Sequence, residues 1–285
     1  SAYGDGGFYK KEYHKGVLHG YSYAYIRRGD EYFFFGSLAE NTGFTRIIFN
    51  TVFNRVIFQK DCTGRVTATE YKVFDIFFAR GREKEVFDAW FEKLGITPRS
   101  VTKKNGYTSW YDRYQDISQS VIENALRGFD RLDKTPDIFQ IDDGFETKVG
   151  DWLRIDKTKF PNGLDELIEN VNAQGMDFGL WVEPEMVNPD SDLYRAHPDW
   201  VYHFEHRHAD ELRNQLVLNM TRDDVREYIL GRLDELLEKY NIKYIKWDMN
   251  RPFSQVGAEN LENPQMYSYL HIMAVYGIVD ELKKR

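Results

Sequence analysis

The chain has 285 residues, of which 42% are hydrophobic and 29% charged, and its formal net charge is −8. This length and apolar content suffice for a sizeable buried core, so a disordered chain is not the default interpretation. The acidic balance argues against a nucleic-acid partner, because binding to phosphates needs clustered Lys and Arg.

Membrane and metal-thiolate proteins are disfavoured by two further features. No apolar run approaches the ~20 residues that span a bilayer, and the N-terminus lacks a signal-peptide pattern, so we expect no membrane partner and a cytoplasmic location. Cys62 is the only cysteine, which excludes an internal disulfide and a thiolate metal cluster.

Aromatic residues make up 16% of the chain. Strands rich in Tyr and Phe explain most of them, and sugars also bind on aromatic rings.

Residues 1–80 are predicted to form antiparallel β-strands. β-Branched and aromatic residues are dense there, as in residues 21–26 and 32–35, and turn signals such as Arg28-Gly29-Asp30 separate the runs. The apolar spacing then becomes helical around Val86 and Trp90, and Gly95 ends that run. We therefore predict a partial β-region over residues 1–80 and a helical linker over residues 81–104.

Residues 105–285 alternate strand and helix patterns, which is typical of βαβ units around a parallel sheet. Strand-like runs cover residues 106–111, 138–141, 178–182 and 244–247. Helical patterns lie between them, and a fourth follows Pro264. Residues 215–220 are a candidate for one additional strand.

Polar or aromatic residues stand at the end of each strand-like run. They are Trp110 for the first run, Asp142 and Asp143 for the second, Trp181, Glu183 and Glu185 for the third, and Lys246 and Asp248 for the fourth. The carboxyl ends of barrel strands face one mouth, so these side chains are expected to share a site. The alternative is that they mark ordinary strand-to-loop turns and helix caps.

Lys246 and Asp248 alternate with apolar residues in one strand, which places both side chains on the same face. We expect them to pair. Such a Lys would favour the ionised carboxylate that a glycosidase nucleophile needs. A plain structural ion pair is the alternative.

Four motifs carry a resemblance to a known family. They are FGLWVEPEMV at residues 178–187, DSDLYRAHPDW at 190–200, RNQLVL at 213–218 and KWDMNR at 246–251. In order and approximate spacing the chain from about Tyr107 to Arg251 resembles the α-galactosidases of glycoside hydrolase family 36. The resemblance implies an α/β fold, a (β/α)8 TIM-type barrel of which the first four or so βα units are present. Residues 1–80 resemble the end of the family's N-terminal β-sandwich in character.

The resemblance also implies roles for individual residues and requires no cofactor. Asp248 takes the place of the catalytic nucleophile. The positions that match the family's substrate-binding residues are Trp110, Asp142, Asp143, Trp181, Arg213, Lys246 and Asn250. Gly144-Phe145 departs from the more usual Gly-Trp after the two aspartates.

The implied reaction is retaining hydrolysis of terminal α-D-galactosides, of the melibiose and raffinose type, by double displacement. It needs a second carboxyl as acid and base. In the family that Asp lies on a later strand, so we expect it outside this chain and expect the chain to be a fragment. Glu183 and Glu185 are poor substitutes because they belong to another motif. A free half-barrel would associate with its own copies or with the missing half.

Two rival functions remain open. Asp142, Asp143, Glu183 and Asp248 could hold Mg²⁺ in a metal-dependent barrel enzyme. A chain without the acid could also be a non-catalytic galactoside-binding module. His203, His206 and His208 lack the spacing of zinc enzymes and are expected at the surface. Galactose versus N-acetylgalactosamine and hydrolysis versus transfer are left open.

Overall fold

A computed structural model describes residues 16–97, 102–132, 135–209, 211–251, 261 and 263–284. The chain divides into two compact units, Ser1–Val101 and Thr102–Arg285. Across the described residues, every helix is too short or too polar to cross a lipid bilayer.

The first unit contains two antiparallel sheets, which confirms the antiparallel strands predicted for residues 1–80 from residue 16 onward, residues 1–15 lying outside the described part of the chain. Its six strands are β1 (Val17–Tyr21), β2 (Tyr23–Arg28), β3 (Glu31–Ser37), β4 (Thr45–Asn50), β5 (Arg55–Lys60) and β6 (Ile76–Gly81). One sheet has the order β1-β4-β5 and the other β2-β3-β6. Burial alternates along β3, where Tyr32 and Phe34 face inward, as expected for a strand with one buried face.

Helix α1 (Glu83–Lys93) packs against the β2-β3-β6 sheet. Val86 and Trp90 are buried on Phe34, and the Trp90 indole Nε1 donates a hydrogen bond of 3.1 Å to the Ser37 carbonyl oxygen. The helix predicted within residues 81–104 is present as α1, and a sheet of the first unit covers its apolar face. Residues 98–101 of that range lie outside the described residues.

The second unit is built on a parallel sheet, which confirms the four predicted strand-like runs. The sheet consists of β7 (Gly106–Thr108), β8 (Ile138–Ile141), β9 (Asp177–Val182) and β12 (Ile242–Trp247), in the order β12-β9-β8-β7. The main helices of this unit are α3 (Gln119–Phe129), α4 (Asp165–Ala173), α6 (Asp223–Lys239) and α7 (Tyr267–Leu282). Strand β9 is buried on both faces from Phe178 onward, as is usual for a parallel strand covered by helices.

Shorter elements lie near the carboxyl ends of these strands. They are helix α2 (Trp110–Arg113), helix α5 (Asp192–Ala196), and strands β10 (Met186–Val187) and β11 (Leu216–Val217). Residues 109–111 were predicted as strand, but Trp110 begins α2. Strand β11 falls within the candidate extra strand at residues 215–220 and pairs antiparallel with β10, outside the four-stranded parallel sheet.

We predict that Gly36→Ala destabilises the first unit by about 1–3 kcal/mol, the usual cost of forcing extra atoms into a packed core. An added Cβ would lie 2.7 Å from Trp90 Cδ1, and the buried indole cannot move aside without losing its contact with Phe34. Chemical denaturation followed by circular dichroism gives the change in the free energy of unfolding.

Gly128→Ala in α3 is the matched control, because nothing lies within 4 Å of its added Cβ. It should stabilise its helix by up to about 1 kcal/mol. Equal effects of the two substitutions would contradict the proposed clash.

Candidate active site

The predicted site residues lie at one edge of the parallel sheet, because the carboxyl ends of parallel strands point the same way. Asp142 and Asp143 follow β8, Glu183 follows β9, and Asp248 follows β12. The Asp248 backbone N–H donates a hydrogen bond of 2.9 Å to the Val182 carbonyl oxygen, which fixes the end of β12 against the end of β9.

Asp142 is buried and collects several donors. Its Oδ2 accepts hydrogen bonds from Lys246 Nζ at 2.9 Å, Gln140 Nε2 at 2.9 Å and Thr108 Oγ1 at 3.3 Å. Its backbone N–H donates to Ser109 Oγ at 2.9 Å. Residues of three strands therefore hold one carboxylate.

The expected pairing of Lys246 with Asp248 is wrong, because the ammonium group contacts Asp142 instead. The Lys246 side chain reaches past β9, which lies between β12 and β8 in the sheet. The Asp142 side chain is only 2% exposed, whereas Asp248 is half-buried. A cation therefore stabilises the charge of Asp142 more than that of Asp248. The Lys246 charge still acts on Asp248 at longer range and favours the ionised carboxylate.

Asp143 and Glu146 are a neighbouring pair of buried carboxyl groups. Burial raises the pKa of Asp143, although Gln115 Nε2 donates to its Oδ2 at 2.6 Å and the Arg213 charge favours ionisation. Burial raises the pKa of Glu146 well above its ordinary value, and the nearby charge of Asp143 raises it further. A proton held between the two side chains would let them hydrogen-bond each other.

Asp248 is half-buried and is held by N–H donors. Its Oδ2 accepts from Trp181 Nε1 at 3.0 Å and Asn250 Nδ2 at 3.0 Å, and its Oδ1 accepts from the Met249 backbone N–H at 2.9 Å. Burial works to raise the pKa of Asp248, but the hydrogen bonds from Trp181 and Asn250 outweigh it, and the pKa is lowered. Asp248 is therefore ionised at neutral pH, as a carboxylate nucleophile must be.

Glu183 is fully buried beside this group. Its Oε2 accepts from Gln215 Nε2 at 2.6 Å, and its Oε1 accepts from the Asn250 backbone N–H at 2.5 Å. Burial raises the pKa of Glu183 to about 7, and the charge of Asp248 adds to the effect, while the two N–H donors act in the opposite direction. Glu183 is thus poised to change its charge near neutral pH.

Glu185 belongs to a separate buried chain of polar groups. Its Oε1 accepts from Trp247 Nε1 at 2.8 Å, and its Oε2 lies 2.7 Å from His271 Nε2. His271 Nδ1 lies 3.2 Å from the Tyr202 hydroxyl. This series of polar contacts connects α7 to the strand that carries Lys246 and leads to Asp248.

The remaining predicted residues are Trp181, Trp110 and Arg213. Trp181 is 1% exposed, and its ring packs edge-on against Trp152 at 5.9 Å. Trp110 is half-buried and contacts Tyr114. Arg213 is exposed, adopts a left-handed backbone with φ of 58°, and acts on Asp143 through its charge. The structure thus brings Asp142 together with Lys246, and Asp248 together with Trp181 and Asn250.

Several residues of this network were missed by the sequence analysis. They are Thr108, Ser109, Gln115, Gln140, Glu146, Gln215 and His271. Gln140 could have been found, because it alternates with Asp142 along the same strand. Gln115, Gln215 and His271 lie outside the parallel strands, at positions where the local sequence carries no such signal.

The carboxylates are arranged differently from the Mg²⁺ site considered as an alternative. In the part of the chain that the structure describes, no three His, Cys, Asp or Glu side chains are grouped so as to hold a metal ion. Lys246 contacts Asp142, and N–H donors contact both oxygens of Glu183. His203, His206 and His208 are exposed, as predicted.

The chain is similar to several known proteins. A family model described as Melibiase matches residues 107–285. The α-galactosidase AgaA of Geobacillus stearothermophilus is 39% identical over 186 residues, which are 62% of this chain and 25% of that protein. The bifunctional α-galactosidase/sucrose kinase AgaSK of Mediterraneibacter gnavus is 38% identical over 184 residues, 62% of this chain and 19% of that protein. The chain therefore spans about a quarter or less of the length of these relatives.

Solved structures show the same fold over nearly the whole chain. The crystal structure of AgaA, a family 36 α-galactosidase, matches with a TM-score of 0.72 at 25% identity and covers 96% of this chain and 43% of that one. An α-galactosidase from Lactobacillus brevis matches with a TM-score of 0.76 at 22% identity, over 97% of this chain and 42% of that one. AgaA variants have been solved in complex with raffinose and with stachyose.

We predict that Trp181→Phe raises the pKa of Asp248, because it removes the indole N–H that stabilises the ionised carboxylate. A ¹³C NMR titration of the aspartate carboxyl carbons measures this pKa, with the Asp248→Asn spectrum identifying the Asp248 signal. Trp247→Phe is the matched control, because its indole donates to Glu185. Equal shifts in both variants would contradict the assignment.

We also predict that the contribution of Glu183 to the free energy of unfolding decreases as the pH rises. The folded-state pKa of about 7 exceeds the ordinary value of 4.5, so the stabilising contribution of this carboxyl is complete below about pH 4.5. It is lost as the pH rises through 7. Relative to Glu183→Gln, the wild-type free energy of unfolding should fall by about 3 kcal/mol over this range.

Urea denaturation at a series of pH values measures this difference. Glu238→Gln, at an exposed position on α6, is the control and should keep the wild-type pH dependence. A pH-independent difference between wild type and Glu183→Gln would show that Glu183 does not titrate in this window.

Proposed function

Because the chain belongs to the melibiase family, we propose that it forms the nucleophile-bearing part of a retaining α-galactosidase, with Asp248 as the nucleophile. The observation that carries the proposal is the environment of Asp248. Three N–H donors hold its carboxylate ionised, yet the residue keeps part of its surface exposed at the carboxyl edge of the sheet.

The proposed reaction is double displacement. Asp248 attacks the anomeric carbon of a terminal α-galactoside, the glycosidic bond breaks, and water then hydrolyses the galactosyl ester with retention. Lys246 is one third exposed while it contacts Asp142, so its ammonium group has further N–H donors for a sugar hydroxyl. Asp142, Asp143, Trp110, Trp181, Arg213 and Asn250 are proposed as the other substrate-binding residues.

A retaining glycosidase needs a second carboxyl about 5–5.5 Å from the nucleophile. We propose none of the described residues for this role. Glu183 is fully buried, with N–H donors on both oxygens, and Glu185 is engaged by Trp247 and His271. We infer that the acid and base lies in the part of the relatives' length that this chain does not span.

The parallel sheet of the second unit is proposed as the first half of a (β/α)8 barrel, and the first unit as part of a β-sandwich. Four parallel strands with intervening helices support the first assignment, and the match to family 36 structures supports both. The complementary half, or a second copy of the chain, would then pair with the edge strand β12. Oligosaccharides with a terminal α-galactosyl group are the proposed substrates, supported by the raffinose and stachyose complexes of AgaA.

We predict that an aryl α-galactoside with a good leaving group forms a covalent adduct on this chain. Departure of such a group needs little protonation, so the missing acid matters least. Intact-mass spectrometry should show the addition of one hexosyl group to the wild type and none to Asp248→Asn. Asp280→Asn, an exposed substitution on α7, is the matched control and should be labelled like the wild type.

Two results would contradict the assignment. Labelling of Asp248→Asn would exclude Asp248 as the nucleophile. Absence of any adduct on a wild-type chain that binds galactose would favour the alternative, a galactoside-binding module without catalysis.

A further inference from the structure

We propose that Glu183 and Gln215 form a proton-holding pair behind Asp248, from which a proton is released when Asp248 becomes glycosylated. The part concerning glycosylation rests on the proposed function. Glu183 is a positioning residue in this proposal, because it acts through Asn250 and Gln215 and contacts no reacting atom of Asp248 in the described network.

The first supporting feature is the geometry that links the two carboxyl groups. The Asn250 backbone N–H donates to Glu183 Oε1 at 2.5 Å, while the Asn250 side-chain Nδ2 donates to Asp248 Oδ2 at 3.0 Å. One residue therefore holds both carboxyls. A change in the charge of either group is transmitted through a short path that is partly buried.

The second feature is the side-chain amide of Gln215, which can hydrogen-bond to Glu183 in either of its charge states. As placed, its Nε2 donates to Glu183 Oε2, and its buried Oε1 has no hydrogen-bond partner among the described residues. Turning the amide by half a rotation presents Oε1 to Glu183, where it would accept the O–H of a protonated carboxyl. Either orientation leaves one amide atom unpaired, so the charge on Glu183 decides which orientation is adopted.

The third feature is that Asp248 supplies the charge that acts on Glu183. Among the other ionisable groups on the surrounding elements, Lys246 contacts Asp142, His271 contacts Glu185, and Arg251 donates to the Gln215 carbonyl oxygen. The Asp248 carboxylate raises the pKa of Glu183 in addition to the effect of burial. Removing that charge therefore favours ionisation of Glu183.

Asp248 forms a neutral ester with the anomeric carbon, and the leaving group departs with the electron pair of the broken bond. The O–H bond of Glu183 then breaks, its electrons stay on the carboxylate, and the proton passes to the buffer. Hydrolysis of the ester restores the Asp248 charge, and Glu183 takes up a proton again. Because coupling is reciprocal, a protonated Glu183 also favours the ionised nucleophile.

The first test measures the coupling without any need for catalysis. A ¹³C NMR titration of the glutamate carboxyl carbons should show a lower pKa for Glu183 in Asp248→Asn than in the wild type, with Glu183→Gln identifying the signal. Asp280→Asn should leave this titration unchanged. An unaltered Glu183 titration in Asp248→Asn would overturn the proposal, whatever the outcome for the enzymatic function.

The second test follows the proton directly. The chain is mixed with α-galactosyl fluoride near pH 7 in weak buffer with a pH indicator, because fluoride leaves without taking a proton. Protons are counted while the adduct accumulates, because later hydrolysis of the ester to a carboxylate produces a proton of its own in every variant. The number released per adduct in this first phase, with the adduct counted by intact mass, should fall to background in Glu183→Gln and persist in Glu185→Gln, the neighbouring buried glutamate.

The two tests separate the possible failures. Adduct formation without proton release in the wild type would overturn the proton-holding pair and leave the nucleophile assignment intact. Absence of an adduct would count against the proposed function, and the Glu183 titration in Asp248→Asn would then still decide the coupling. Glu183→Gln preserves side-chain shape, so circular dichroism and the unfolding transition show whether each variant is folded.

Discussion

The site depends on one constraint, which is that several carboxyl groups are withdrawn from water at one edge of a parallel sheet. Burial disfavours their charged forms, and Lys246 forms an ion pair with Asp142. Asp248 and Glu183 accept hydrogen bonds from N–H donors, and Glu185 lies beside His271. Asp248 receives enough donors to stay ionised, whereas Glu183 and the Asp143–Glu146 pair are shifted toward the neutral form. The different charge states follow from how deeply each group is buried and how many donors it receives.

The sequence predicted those parts of the site that depend on local pattern. Alternation along a strand located Lys246 and Asp248, and turn residues after strands located Asp142 and Asp143. It could not predict that Lys246 contacts Asp142, because 104 residues separate them and the order of strands in the sheet decides the contact. Glu183 was visible in its motif, but its role depends on Gln215 and Asn250, which only the folded chain brings to it. The covering of α1 by a sheet was likewise a tertiary effect.

Family membership and physical reasoning contribute different things. The match to the melibiase family covers residues 107–285, a range that includes the proposed nucleophile Asp248. The match spans a quarter or less of the length of these relatives, so their complete activity is a proposal for this chain. The geometry explains how the nucleophile strand is held from behind, by a network that reaches as far as α7 through His271 and Glu185.

The small antiparallel pairing of β10 with β11 has an evolutionary consequence. Met186 pairs with Val217, and the Leu218 backbone N–H donates to the Glu185 carbonyl oxygen at 2.9 Å. The segment that supplies Gln215 is thereby tied to the segment that supplies Glu183. A carboxyl and an amide that meet in this way constrain one another's replacement, so in an alignment of homologues these two positions should covary, although about thirty residues separate them along the chain.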